Sequence, residues 1–314
     1  MSFEVILPFL RPIEAWILDP AVTEVMVNGS GAVFVERDGR MEAVPDVTVR
    51  EHNLRVAVRN LARALGDDIS DEQPLLDSRL PDGSRVAAAL PPVSLGGTTL
   101  TIRKFQGRFF TANELVRTGT VTAGQLRIMQ EAIDARDNML ISGGTGTGKT
   151  TLLNALVAGL PSEDRLVVIE DTAELQLEAP NLVRFEARRA QPDVPAVTIR
   201  DLVRATLRHR PDRILVGEVR GGEAFDLLQA LNTGHSGTLS TIHANSAEQA
   251  LRRFTSCVLQ SSVDLPYPAI RHAMAECLQL LVHLERRRGR RIVTELVRIS
   301  GYHATSDTYK LESL

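Results

Sequence analysis

A chain of 314 residues, 43% hydrophobic and 24% charged, has room for two soluble domains with separate cores. A formal net charge of −3 and an aromatic share of 4%, with Trp16 the single tryptophan, argue against a surface built to grip nucleic acid by charge or base stacking. No apolar run reaches the ~18 residues that cross a bilayer, and the opening Met-Ser-Phe-Glu is no secretory leader, so a cytoplasmic protein is expected. Cys257 and Cys277 stand twenty residues apart with no third thiol nearby, which fits reduced, buried side chains.

Residues 4–18 read as a short amphipathic helix, with Ile6, Leu10, Ile13 and Trp16/Ile17 on one face, ended by Asp19-Pro20. From Thr23 to Val44 the pattern alternates, with turns at Asn28-Gly-Ser-Gly31 and Asp38-Gly39, as in a small antiparallel meander. A helix follows over 51–65, carried by Leu54, Val58, Leu61 and Leu65. After the turn at Pro81-Asp-Gly83 come strands over 85–90 and 99–105. Residues 1–107 are therefore read as an α+β domain, and 108–120, which lack a sustained period, as a linker.

The second domain, 121–314, opens with Thr122-Ala-Gly-Gln125 at capping-box spacing. Strands at 138–142, 166–170, 182–187, 213–217 and 238–243 then alternate with helices at 149–159, 199–209 and 222–232. This order predicts an α/β fold, a mostly parallel sheet with flanking helices. Helices over 246–259 and 267–277 precede two alternating segments, 278–285 and 291–299. The basic run 286–291 between them is a solvated hairpin tip or a contact for phosphate, acidic lipid or an acidic partner.

The sharpest signal lies between the strand at 138–142 and its helix. Gly143, Gly144, Thr145, Gly146, Thr147, Gly148, Lys149 and Thr150 match G-x-x-x-x-G-K-[ST], and Thr151 follows in the first helical turn. Glycines let backbone N–H groups converge on a phosphate, and the helix N-terminus adds positive potential. Lys149 would reach the β- and γ-phosphates, and Thr150 would ligate Mg²⁺. Glu218, ending the strand 213–217, is placed to activate water; the aspartate usual before it is Gly217, and Asp212 sits at the wrong end. Glu170 and Asp171 end another apolar strand and suit a Mg²⁺ shell, or else cap the segment that follows. His235 and His243 flank the strand 238–243; with no third ligand they make a poor zinc site and read otherwise as core histidines or a γ-phosphate sensor.

Together these segments, with 206–213 leading into Gly217-Glu-Val-Arg-Gly-Gly-Glu-Ala224, resemble the secretion ATPase family that powers type II and type IV secretion, type IV pili and conjugation. The resemblance covers about residues 20–285 and is strongest to the Tad/Flp pilus and conjugative mating-pair branch. It implies a RecA-like P-loop core using ATP and Mg²⁺, with Walker A at 143–150, an Asp box at 169–174, Walker B at 213–218 and a His box at 233–245. It further implies a homo-hexamer, with nucleotide held between the two domains and motion passed to inner-membrane platform proteins, and no direct nucleic-acid binding. His243 would then act in catalysis and His235 in nucleotide binding. Arg85 and Arg103 look like the family's phosphate-reaching arginines, against the alternative of surface ion pairs. The short N-terminal domain departs from many Tad-type members, and the four-cysteine insertion of type II secretion and pilus-extension members is absent.

Rival readings are a P-loop kinase or GTPase, a DNA-translocating or DNA-binding motor, and a non-hydrolysing scaffold. The chain has no Asn-Lys-x-Asp guanine motif and no Leu-Ser-Gly-Gly transporter signature. Charge and aromatic content disfavour the DNA motor, and Lys149, Thr150 and Glu218 disfavour the scaffold.

Overall fold

The computed structural model describes residues 7–37, 39–105, 110–188, 190 and 194–314; the opening Met-Ser-Phe-Glu, Ile6 and Asp38, which entered the readings above, lie outside them, as do residues 108–109 of the expected linker. The chain divides into two compact units, Met1–Arg108 and Phe109–Leu314.

In the first unit, strands β1 (Val22–Val27), β2 (Ala32–Arg37), β3 (Arg40–Thr48), β4 (Leu75–Arg79), β5 (Arg85–Ala89) and β6 (Thr99–Arg103) form one antiparallel sheet in the order β3-β2-β1-β6-β5-β4. The N-terminal segment is not one helix. Pro8 and Pro12 remove backbone donors, so the chain makes two 3-10 turns, Leu7–Phe9 and Arg11–Ile13, before a five-residue helix α1 (Glu14–Leu18). Its apolar face is nonetheless inward, with Leu10, Ile13 and Ile17 buried. The helix α2 (Glu51–Ala64) turns Leu54, Ala57, Val58, Leu61 and Ala62 onto the same core, which Val25, Val35, Val86 and Ile102 supply from the sheet.

A helix, α3 (Ala112–Arg117), occupies the stretch expected to be a linker, and Thr111 and Glu114 close a capping box on it. The same device starts α4 (Ala123–Asp134) at Thr122 and Gln125. The second sheet has eight strands in the order β14-β13-β12-β7-β11-β10-β8-β9. These are β7 (Met139–Gly143), β8 (Leu166–Glu170), β9 (Leu182–Glu186), β10 (Arg213–Val219), β11 (Leu239–Ile242), β12 (Leu280–Arg287), β13 (Arg290–His303) and β14 (Thr308–Ser313). From β12 to β9 every pairing is parallel; β13 and β14 extend the sheet antiparallel.

Strands β7, β8 and β11 are buried throughout, because helices cover both faces. Leu140, Val167, Ile169, Ile214, Val216 and Ile242 pack with α6 (Ile199–Thr206), α7 (Glu223–Asn232), α8 (Ala247–Leu259) and α9 (Tyr267–Cys277). Met139, Ile141, Val168, Leu215 and Leu239 face α3, α4 and α5 (Lys149–Val157). The alternation of these sets follows the period of two of a strand. Cys257 and Cys277 are free and buried. Among the described residues no helix is long and apolar enough to cross a membrane.

Candidate active site

Parallel pairing fixes where the site lies. Strands β7, β11, β10 and β8 run the same way, so the segments that follow Gly143, Ile242, Val219 and Glu170 gather at one sheet edge. Ligands bind at this carboxyl edge in such sheets. The phosphate loop leaves β7 there under tight steric control. At Gly143 an added Cβ would lie 2.5 Å from the Leu284 carbonyl oxygen and 2.5 Å from Thr147 Oγ1, so no side chain fits. Gly148, left-handed at φ 96°, turns the chain into α5.

Lys149, the first residue of α5, is buried, and its Nζ donates to the Gly143 and Gly144 carbonyls at 3.0 and 2.9 Å. Burial holds the ammonium below its usual range, with Glu218 opposing. The same Nζ lies 3.5 Å from His243 Nε2, which lies 2.7 Å from Glu218 Oε1. That buried oxygen has no hydrogen bond in line. The other, Oε2, accepts from Arg220 at 2.7 Å, and Arg220 also donates to Asp171 Oδ2 at 2.8 Å. One connected array of charge thus joins the phosphate loop to the ends of β11, β10 and β8. Thr150 lies partly exposed in the first turn of α5, with Thr145 and Gly146 exposed at the loop's crest.

Glu218 owes its aim to a slip in the ladder. Val216 pairs with Ser240 and Val219 with Ile242, so β10 carries one more residue than β11 between those pairs. Gly217 stands there because Glu170 fills the space: a Cβ would meet Glu170 Cγ at 3.0 Å. A carboxylate from the neighbouring strand therefore crowds the position where the sequence lacks an aspartate. Glu170 is itself heavily engaged. Its Oε1 accepts from the Glu174 and Leu175 amides at 2.7 and 2.8 Å, and Arg184 lies 3.4 Å from Oε2. Burial raises its pKa against those contacts. The structure thus shows the capping arrangement at Glu170, while Asp171 stays exposed and turned toward Arg220.

His235 is not brought to the loop within this unit. It precedes β11 by four residues, at the amino edge, where its Nδ1 lies 3.1 Å from the Ala230 carbonyl and its own carbonyl accepts from Thr238. Only the histidine after the strand, His243, reaches the phosphate loop. Arg85 and Arg103 are register partners across β5 and β6 in the first unit, and Arg103 Nε lies 3.2 Å from Glu24.

Three features of the site escape the sequence reading. Arg220 was signalled only by standing two residues beyond the strand-end acid. Arg291, from the basic hairpin β12–β13, donates from Nε to the Gly146 carbonyl at 3.0 Å, a contact no local pattern announces. Gly144, His243, Ala244, Asn245, Gln249 and Arg253 line a cavity of about 280 Å³ beside the loop.

The residues present fit a magnesium nucleotide. The loop is a glycine cradle with an ammonium at its base, a hydroxyl follows in the first helical turn, and a buried carboxylate oxygen without an aligned donor stands opposite.

Comparison with known proteins agrees. The family described as type II/IV secretion system protein matches residues 10–306. The conjugal transfer protein TrbB of Rhizobium radiobacter is 38% identical over 288 residues, 90% of this chain and 85% of that one. The type IV secretion system protein PtlH of Bordetella pertussis is 37% identical over 311 residues, 89% of this chain and 90% of that one. Among solved structures, the VirB11 ATPase of the Brucella suis type IV secretion system, in complex with sulphate, aligns with 94% of this chain and 97% of its own at 31% identity and a TM-score of 0.50. The ATPase DotB of Legionella pneumophila shares the fold at a TM-score of 0.64 and 20% identity, covering 94% of this chain and 81% of that one. On a match that spans nearly its whole length, the chain belongs to the type II/IV secretion system protein family.

Proposed function

We propose that the chain is an ATP hydrolase with a RecA-like P-loop core, working as a homo-hexameric motor at the inner membrane for a conjugation or type IV secretion machine. The observation that carries this reading is the convergence of Lys149, His243 and Glu218 within 3.5 Å contacts at the phosphate-loop end of the sheet. The relatives' names, conjugal transfer and type IV secretion, favour these machines over a Tad-type pilus.

Bound ATP with Mg²⁺ supplies the phosphoanhydride and the metal that neutralises its charge. The amides from Gly143 to Thr151 and the Lys149 ammonium hold the phosphates, so Lys149 exchanges its carbonyl partners for phosphate oxygens. The Thr150 hydroxyl would hold Mg²⁺, the exposed Asp171 would face its water shell, and Glu170, bound to the Glu174 and Leu175 amides, would act on that shell from behind. Glu218 orients the attacking water and takes its proton, while His243, hydrogen-bonding distance from that carboxylate, reports the γ-phosphate. Arg220 holds Glu218 and Asp171 in one frame. Arg85 and Arg103 supply positive charge to the phosphates.

The test is calorimetry of the purified chain with adenine nucleotides and Mg²⁺, together with phosphate release over a range of protein concentrations. Binding of ATP and a rate per subunit that climbs as rings assemble are expected. No heat with any adenine nucleotide overturns the reading, and a rate independent of dilution overturns the ring.

A further inference from the structure

One strand over from the phosphate loop, β12 and β13 carry a group of side chains that nucleotide chemistry does not use. His283 is 1% exposed, and its Nδ1 lies 2.9 Å from Ser142 Oγ. The same hydroxyl lies 3.3 Å from the Val282 carbonyl, so Ser142 holds the ring at Nδ1 and leaves Nε2 as its far nitrogen. Nε2 is buried without a hydrogen-bond partner, 3.8 Å from Glu285 Oε1. Ligand atoms of His283, Glu285 and Glu295 all fall within 4.8 Å of one another. A buried ring nitrogen without a partner beside two carboxylates is costly as it stands, and a cation between them would satisfy all three.

Each member is also fixed from behind. Ser142 holds the imidazole, Arg287 Nε donates to Glu285 Oε2 at 2.7 Å, and Glu295 Oε2 accepts from the Ala247 amide at 2.8 Å. Metal ligands are oriented by outer partners of this kind. Among the described residues no other trio of such side chains converges this closely.

We propose that His283, Glu285 and Glu295 form a structural site for one divalent transition-metal ion of the zinc class, separate from the nucleotide's magnesium. One imidazole with two carboxylates suits zinc or cobalt, whereas calcium and magnesium take oxygen ligands. Tetrahedral bonds of about 2.0–2.2 Å set ligand atoms about 3.4 Å apart, so the flexible glutamates have to close from within 4.8 Å by up to about 1.4 Å. Burial lowers the pKa of the imidazole, with Glu295 and Glu285 opposing and Arg287 and Lys149 adding to the effect. The ion would tie the β12–β13 hairpin and the first residue of α8 to Ser142, the residue before Gly143.

The experiment uses the nucleotide-free full chain titrated with Co²⁺, followed by visible absorption and then by Zn²⁺ competition. One Co²⁺ per chain with a ligand-field band, displaced by Zn²⁺, is expected, and Zn²⁺ should raise the unfolding temperature. Glu285→Gln and Glu295→Gln should each weaken Co²⁺ binding at least tenfold; Glu295→Gln keeps an acceptor for the Ala247 amide, and circular dichroism confirms that both fold. Glu218→Gln should bind Co²⁺ as the parent does. No band, a band that survives both glutamine substitutions together, or a band lost in Glu218→Gln overturns the proposal. None of these readouts depends on ATP, so they stand or fall apart from the hydrolase reading.

Discussion

At the amino edge of the second sheet, Asp164 receives Arg213 and Arg136 at 2.6 Å each, and Arg213 also donates to the Ile133 carbonyl at 3.0 Å. Arg213 and Asp164 are almost wholly buried, and Gly237 leaves space for the guanidinium, since a Cβ there would lie 2.7 Å from its Nη1. At the carboxyl edge the same residue types are joined less completely. Lys149 turns onto its own loop's carbonyls, Glu218 keeps one oxygen without an aligned donor, and Arg220 divides itself between two acids. A charge with every partner in place fixes structure, whereas a charge short of partners can bind and react.

Breaking the amino edge should have the largest effect. Asp164→Ala strands a buried guanidinium and should cost about 3–5 kcal/mol, a shift of hundreds- to thousands-fold in the folding equilibrium. For a unit of this size that is on the order of 10 °C in a thermal melt, with turnover per folded chain unchanged. Next, Lys149→Ala should lower phosphate release by roughly two to three orders of magnitude while barely moving the melt. A retained rate would erase the contrast between the edges. Glu218→Gln should bind ATP yet hydrolyse it about a hundredfold more slowly in single-turnover assays, and equal rates would remove its water-activating role.

The smallest effect is in pH. Burial, then Lys149, hold the half-exposed His243 below its ordinary pKa of 6.5, with Glu218 acting the other way. The folded chain then binds fewer protons than the unfolded chain in that range. This contribution to stability is whole above about pH 6.5 and is lost as pH falls through the lowered value. The denaturant midpoint should drop between about pH 7.5 and 5.5, and His243→Gln should reduce the drop. An unchanged drop would show that other groups carry it.

Much of the carboxyl edge was legible because its signals are local. The loop from Gly143 to Thr150 sits between a strand and a helix at fixed spacing, and Glu218, Asp171 and His243 each follow an apolar run. What escaped depends on distant pairing or on short elements. The segment 278–285 alternates like half of a hairpin, and it is; nothing local says that it also lies parallel to β7, beside the phosphate loop. Helix α3 spans six residues, too few to show a period, although Thr111 and Glu114 stood at capping spacing. Strands β4 and β14 were passed over too: β4 reads Leu-Leu-Asp-Ser-Arg without alternation, whereas in β14 Tyr309 and Leu311 do alternate inward. His235 and His243 looked alike in the sequence, and only strand direction separates them. Glu170 shows the opposite limit: strand-end position was clear, but which amides it would hold was not.

The surplus residue between Val216 and Val219 has a further meaning for Glu218. Ile214, Val216 and Val219 all join the same apolar layer, which unbroken alternation would have populated with 214, 216 and 218. Deleting Gly217 would leave one residue on each strand between these pairs, so the ladder would run evenly with Glu218 opposite Thr241 and the bulge that sets its present aim would be gone. The aim of the acid proposed to activate water is thus a matter of counting as much as of composition: it escapes burial among aliphatic neighbours because one residue was added beside it.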